Sequence, residues 1–226
     1  MGKMITLKAS DGFELAAYRA DPAAKPKGCM IVIQEIFGVN DHIKSVADRV
    51  AANGYLAVAP CLQDRGQKGF EVGYTPADIE KGKEVRGKVK NEDSLKDLQA
   101  TFDYLKSQNA GKIGAVGFCW GGSLAWLAAT NIDGLACAVS YYGGEVSKNA
   151  DAKSKCPVIF HFGEKDMSIP MDQVEIVKAK QGAANPVYVY AAGHGFSCDA
   201  RGSFDKAAHE TALKRTQEFV AKHVAG

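Results

Sequence analysis

No stretch of this sequence is apolar for long enough to cross a bilayer as a helix. Its six cysteines, Cys29, Cys61, Cys119, Cys137, Cys156 and Cys198, lie far apart and form no Cys-x-x-Cys pair or zinc-like spacing. The first absence argues against an integral membrane protein, and the second against a disulfide framework or a structural metal site. A basic stripe is missing too. The 28 basic and 26 acidic residues are scattered to a net charge of +2, so the footprint of a nucleic-acid surface is not there. Met1 to Ala9 alternates polar and apolar residues and lacks the continuous apolar core of a signal peptide. Neither an internal repeat nor a low-complexity segment occurs. The expectation is a cytoplasmic protein with no nucleic-acid or membrane partner.

What is present is the material for a core. At 46% hydrophobic and 24% charged, the chain has enough apolar side chains to fold alone, and 226 residues suit a single domain over 1–226. Met4 to Ala9 and Phe13 to Ala20 flank Ser10, Asp11 and Gly12, which predicts an antiparallel hairpin at the N-terminus. Apolar runs at Cys29 to Ile33, Tyr55 to Ala59, Lys112 to Val116, Leu135 to Ser140, Val158 to Phe162 and Val187 to Tyr190 predict strands. Helical spacing is found at Asp41 to Asn53, Glu92 to Ser107, Ser123 to Thr130, Asp172 to Gln181 and Phe204 to His223. Nearly all-apolar strands alternating with helices specify an α/β fold: a mostly parallel twisted sheet with helices on both faces. Leu62 to Thr75 reads as a long polar, glycine-rich loop, placed to cover a site.

The strongest local signal is Gly117, Phe118, Cys119, Trp120, Gly121, Gly122, lying between an apolar strand and an apolar helix. This is the G-x-S-x-G nucleophile elbow with cysteine in place of serine. A side chain held in a tight strand-to-helix turn needs small neighbours two residues away, and glycine supplies them. The first amides of the next helix point at the sulfur, so the Trp120 N–H is a candidate oxyanion donor. Asp166 and His194 each follow the carboxyl end of a predicted strand, on the edge where open α/β folds build their sites. The chain order nucleophile, acid, base is that of the α/β-hydrolase fold. Glu35 follows the strand Cys29 to Ile33, where it serves either as a proton-sharing group or as a partner in an ion pair. Ile36 N–H is the candidate second oxyanion donor.

With these residues in place the sequence resembles the dienelactone hydrolase (carboxymethylenebutenolidase) family. The resemblance rests on Gln34 to Asn40, Gly117 to Gly122, Tyr141 to Gly143, Asp166, and Gly193 to Phe196. It implies a Cys119, His194, Asp166 triad in which Glu35 holds the resting thiol and takes its proton when substrate binds. Better-known members bind a substrate carboxylate with two arginines, one of them four residues after the histidine. Here that position is Cys198, with Arg201 three residues further on. The second arginine has no counterpart among Ala77 to Lys83, although Arg65, Lys81 and Arg86 are nearby.

The expected chemistry is hydrolysis of a small ester or lactone by a monomer, through a thioester on Cys119 and without cofactor or metal. Phe37, Tyr141, Tyr142, Phe196 and Arg201 are the candidate pocket residues, with core packing the alternative for the tyrosines. Two rival readings are a hydrolase-fold ligand-binding protein with little turnover and a thiol redox sensor using Cys119 and Cys198.

Overall fold

The computed structural model describes residues 2–225. Eight strands form one sheet in the order β1-β2-β4-β3-β5-β6-β7-β8. The strands are β1 (Lys3–Lys8), β2 (Glu14–Ala20), β3 (Cys29–Ile33), β4 (Leu56–Pro60), β5 (Ile113–Phe118), β6 (Cys137–Tyr141), β7 (Val158–Gly163) and β8 (Val187–Tyr190). β1 and β2 pair antiparallel, with Leu7 opposite Leu15, and β2 also runs antiparallel to β4. Every other pairing is parallel. Every residue of β3 to β7 is buried, as strands with helices on both faces must be. This is the expected α/β-hydrolase architecture.

Six α-helices cover the sheet: α1 (Asp41–Ala52), α2 (Pro76–Gly87), α3 (Asn91–Ser107), α4 (Trp120–Asn131), α5 (Met171–Gln181) and α6 (Lys206–Val224). α1 starts at Asn40, whose side chain accepts from the Ile43 N–H, and ends before Gly54, which takes φ +96°, a conformation that glycine adopts freely. The loop expected over Leu62 to Thr75 is irregular except at its start, and it leads into a helix. Leu62–Arg65 is a single 3-10 turn, and Pro76–Gly87 is a helix where none was expected. α2 buries only Gly82 and Val85, so it has no apolar stripe to betray it. Its start was nevertheless written in the sequence. Thr75 and Asp78 form a reciprocal capping box, and Pro76 occupies the first turn. At Gly82 the helix lies so near the Ile36 carbonyl that a Cβ would stand 2.7 Å from that oxygen. α2 is thereby laid beside the end of β3.

Candidate active site

Four strands end on one edge of the sheet, and each delivers one polar group. Cys119 ends β5 with φ +56° and ψ −118°, a strained region for a residue with a side chain. Its N–H donates to the Tyr141 carbonyl at 3.0 Å. A Cβ on Gly117 would collide with the Gly121 carbonyl, and one on Gly121 would collide with the Ile33 and Gln34 carbonyls. The elbow therefore needs both glycines, the first to close the turn and the second to press α4 against the end of β3.

Asp166 follows β7 and is 4% exposed. Its Oδ1 accepts from the N–H groups of Ser168 at 2.8 Å and Ile169 at 3.1 Å. Its Oδ2 lies 2.7 Å from Nδ1 of His194, which follows β8. The carboxylate is fixed before it meets the ring, and the ring is fixed by the carboxylate. Burial pulls the His194 imidazolium down, but the Cys119 sulfur and the Asp166 carboxylate outweigh it and push the imidazole up to about 10. A half-buried sulfur, a ring and a carboxylate so arranged can move a proton from thiol to imidazole and hold the resulting charge pair.

Glu35 is fully buried at the end of β3. Its Oε1 accepts from Arg201 Nη1 at 3.0 Å and its Oε2 from the Tyr74 hydroxyl at 3.2 Å. The resemblance implied a Glu35 that holds the resting thiol. Among the described hydrogen bonds it holds Arg201 and Tyr74 instead, because the guanidinium neutralises a charge that burial makes costly. Beside it sits Cys198, also fully buried, whose thiol is pushed up to about 12, first by burial and then by Glu35. His42, on α1, gives Nδ1 to the Asp199 carboxylate at 2.9 Å. Its Nε2 is buried without a partner.

A cavity of about 300 Å3 opens above the sulfur, and its lining includes Ile36, Phe37, Cys119, Trp120, His194 and Arg201. The backbone N–H groups of Ile36 and Trp120 donate to no other group in the described chain, which leaves both free for an oxyanion. Phe37 and Arg201 line this cavity. Tyr141 and Phe196 do not. Tyr141 is in the core, where it stacks on Phe118 at 5.0 Å and shares a hydrogen bond with Thr216 at 2.7 Å. Phe196 is fully buried and packs against Tyr142 and Tyr190. Their aromatic surface is spent on the sheet rather than on the cavity. Tyr142 is equally buried and lies 5.1 Å from the His194 ring.

Sequence reasoning missed most of the opposite wall. Ile79, Lys83 and Arg86 line the cavity from α2, and Arg86 lies over the Trp120 ring at 4.6 Å. Of the three cations near in sequence, Arg65 is spent on Asp11 and Asp97 elsewhere, whereas Arg86 is in the site. Tyr74 was missed as well, and it closes the Glu35 side by packing edge-on to Phe37 at 4.7 Å. The capping box at Thr75 was the signal for this whole segment.

Known proteins supply the remaining comparison. A relative from Pseudomonas putida named carboxymethylenebutenolidase is 31% identical, the match covering 96% of this chain and 95% of that protein. A Synechocystis protein named "Putative carboxymethylenebutenolidase" is 34% identical, over 93% of this chain and 92% of its own. The crystal structure of a "Putative Dienelactone Hydrolase" from Klebsiella pneumoniae superposes with a TM-score of 0.83 at 31% identity, covering 97% of this chain and 99% of the other. The model of the dienelactone hydrolase family matches residues 15–224; with that match over nearly the whole sequence, the chain belongs to the dienelactone hydrolase family.

Proposed function

We propose that the chain, acting as a single-domain monomer, hydrolyses a small carboxylic ester or lactone with Cys119 as nucleophile, His194 as acid and base, and Asp166 as the group that orients the ring. The observation that carries this reading is the 2.7 Å contact of Asp166 with His194 Nδ1, made under the same cavity that Cys119 lines. The contact leaves Nε2 of the ring to serve the sulfur and the substrate.

In the proposed cycle the Cys119 proton passes to His194 and the sulfur adds to the acyl carbon. The oxyanion is held by the Ile36 and Trp120 N–H groups. The C–O bond then breaks, His194 returns its proton to the leaving oxygen, and a thioester remains. Water adds to the thioester as His194 takes its proton, the C–S bond breaks, and acid and thiol are restored. Esters and lactones suit this sulfur because their oxygen leaves readily, whereas an amide intermediate would expel the sulfur first. Lys83, Arg86 and Arg201 around the cavity favour a substrate that carries a carboxylate. The family resemblance gives Glu35 a share with His194 in accepting the Cys119 proton, once Arg201, its partner at 3.0 Å, is drawn to such a group.

The monomer is favoured because, among the described residues, the large exposed apolar side chains are only Met4, Met167 and Ile176. Among the described residues no helix is long and apolar enough to cross a membrane, which supports action on a dissolved small molecule.

The test is turnover of p-nitrophenyl acetate, simple lactones and a dienelactone by wild type and Cys119→Ala, with intact mass for an acyl adduct. Turnover on wild type that is lost in the variant, with a transient adduct, supports the mechanism. Activity that survives the substitution removes the sulfur from the reaction.

A further inference from the structure

We infer that Glu35, His42 and Cys198 form a binding site for a thiophilic divalent cation such as Zn2+, set behind the Cys119 cavity and distinct from the triad. One ligand atom from each of the three buried residues lies within 4.8 Å of the other two. Carboxylate oxygen, imidazole nitrogen and cysteine sulfur are the donor types that zinc takes. They come from three separated places in the chain, the end of β3, the first turn of α1 and the segment after His194, and meet only in the fold.

A second observation points the same way. His42 is buried, and its Nε2 has no hydrogen-bond partner, which a native interior rarely tolerates without a reason. Its other nitrogen is turned to the Asp199 carboxylate at 2.9 Å. Carboxylate on Nδ1 and a free Nε2 is the arrangement that orients a metal-binding histidine and raises its basicity. A core histidine with no such task would satisfy both nitrogens, as His161 does here with Tyr190 and Thr216.

The charges also close. A bound dication and Arg201 are matched together by the Glu35 carboxylate, the Asp199 carboxylate behind His42 and the Cys198 thiolate, whose proton leaves to solvent on binding. Arg201 keeps Oε1 of Glu35, and Oε2 exchanges the Tyr74 hydroxyl for the cation. Tetrahedral zinc needs its donors about 3.5 Å apart, so the widest pair must close by roughly 1 Å. Three protein donors leave a fourth position for water.

The consequence for turnover rests on the function proposed above: a cation here holds Glu35 away from the Cys119 proton and inhibits. The site itself is tested without turnover. Chelator-treated full-length protein is titrated with Co2+, and the sulfur-to-cobalt charge-transfer band is read alongside competition by Zn2+. The expected result is a one-to-one band that persists in Cys119→Ser and vanishes in Cys198→Ser. In Asp199→Asn, a change at a half-exposed position that spares the core, affinity falls about 10- to 100-fold. Zn2+ inhibition of ester hydrolysis moves to higher concentration by the same factor. A band lost in Cys119→Ser and kept in Cys198→Ser puts the cation on the triad and overturns the site. Absence of any band in wild type, or an Asp199→Asn protein that binds as wild type does, overturns it equally.

Discussion

Arg201 places Nη1 3.0 Å from Oε1 of Glu35, 166 residues away in sequence, and only 1% of the Glu35 side chain is exposed. Taking away the guanidinium strands a buried carboxylate. Arg201→Met is expected to cost about 3–5 kcal/mol in urea unfolding, and a Glu35→Gln change in the same molecule to restore much of it. If the two losses simply add, the pair is not an electrostatic unit.

The imidazole of His194 should titrate at about 10 in the wild-type protein. The Cys119 sulfur is the largest influence that raises it, so in Cys119→Ser the ring should titrate distinctly lower. Nitrogen NMR of the labelled ring reads both. Because the folded protein holds this proton more tightly than the unfolded chain, whose histidine titrates near 6.5, the ion pair adds stability below that pH. The contribution fades as pH rises through about 10. An unchanged titration in Cys119→Ser would detach the sulfur from the ring.

His161 behaves in the opposite sense. Burial drives its imidazole from 6.5 down to about 3, and the neutral ring bridges Tyr190 at 2.8 Å and Thr216 at 3.1 Å. Below pH 6.5 the unfolded chain gains a proton that the folded one refuses, so stability drains by up to roughly 1.4 kcal/mol per pH unit towards pH 3. Thermal unfolding of wild type and His161→Gln between pH 7 and about 4 measures the slope. The variant should be the flatter of the two, and equal slopes would assign acid sensitivity to other groups.

Gly121→Ala is a sharper probe of the elbow than any change at the sulfur itself. The added methyl meets the Ile33 and Gln34 carbonyls, neither of which can rotate away. We expect a loss of about 3 kcal/mol or more and, in whatever folds, slower alkylation of Cys119 by iodoacetamide. A variant with wild-type stability and wild-type alkylation would show that α4 can recede from β3.

The strand-end groups were legible in the sequence because each follows an apolar run that a buried parallel strand requires. Cys29–Ile33 is the clearest case: strand and sequence pattern coincide, and Glu35 follows two residues on. Gly117, Cys119 and Gly121 announced a turn for the same steric reasons that the fold displays. The cavity wall was not legible. α2 buries only Gly82 and Val85, so it has no apolar stripe, carries a polar surface on most sides and reads as loop. Tyr141 and Phe196 failed in the other direction. Nearness in sequence to site residues suggested the cavity, but the pleat turns Tyr141 towards Phe118 and His161, and packing against Tyr190 claims Phe196. The Glu35–Arg201 bond was out of reach for a simpler reason: no local pattern tells a carboxylate which distant cation it will face.

The attachment of α2 at Gly82 and Val85 divides the cavity into two halves of unequal plasticity. The floor, with Cys119 and the Ile36 and Trp120 amides, is welded to the sheet, and almost any exchange there perturbs the core. The wall formed by Ile79, Lys83 and Arg86 stands on a helix whose interior neighbours are few. Selection can therefore redraw the range of accepted substrates by changing three side chains on that helix while the chemistry beneath stays constant. In a library confined to those positions, most members should still fold, and their differences should lie in what they admit rather than in what they do to it.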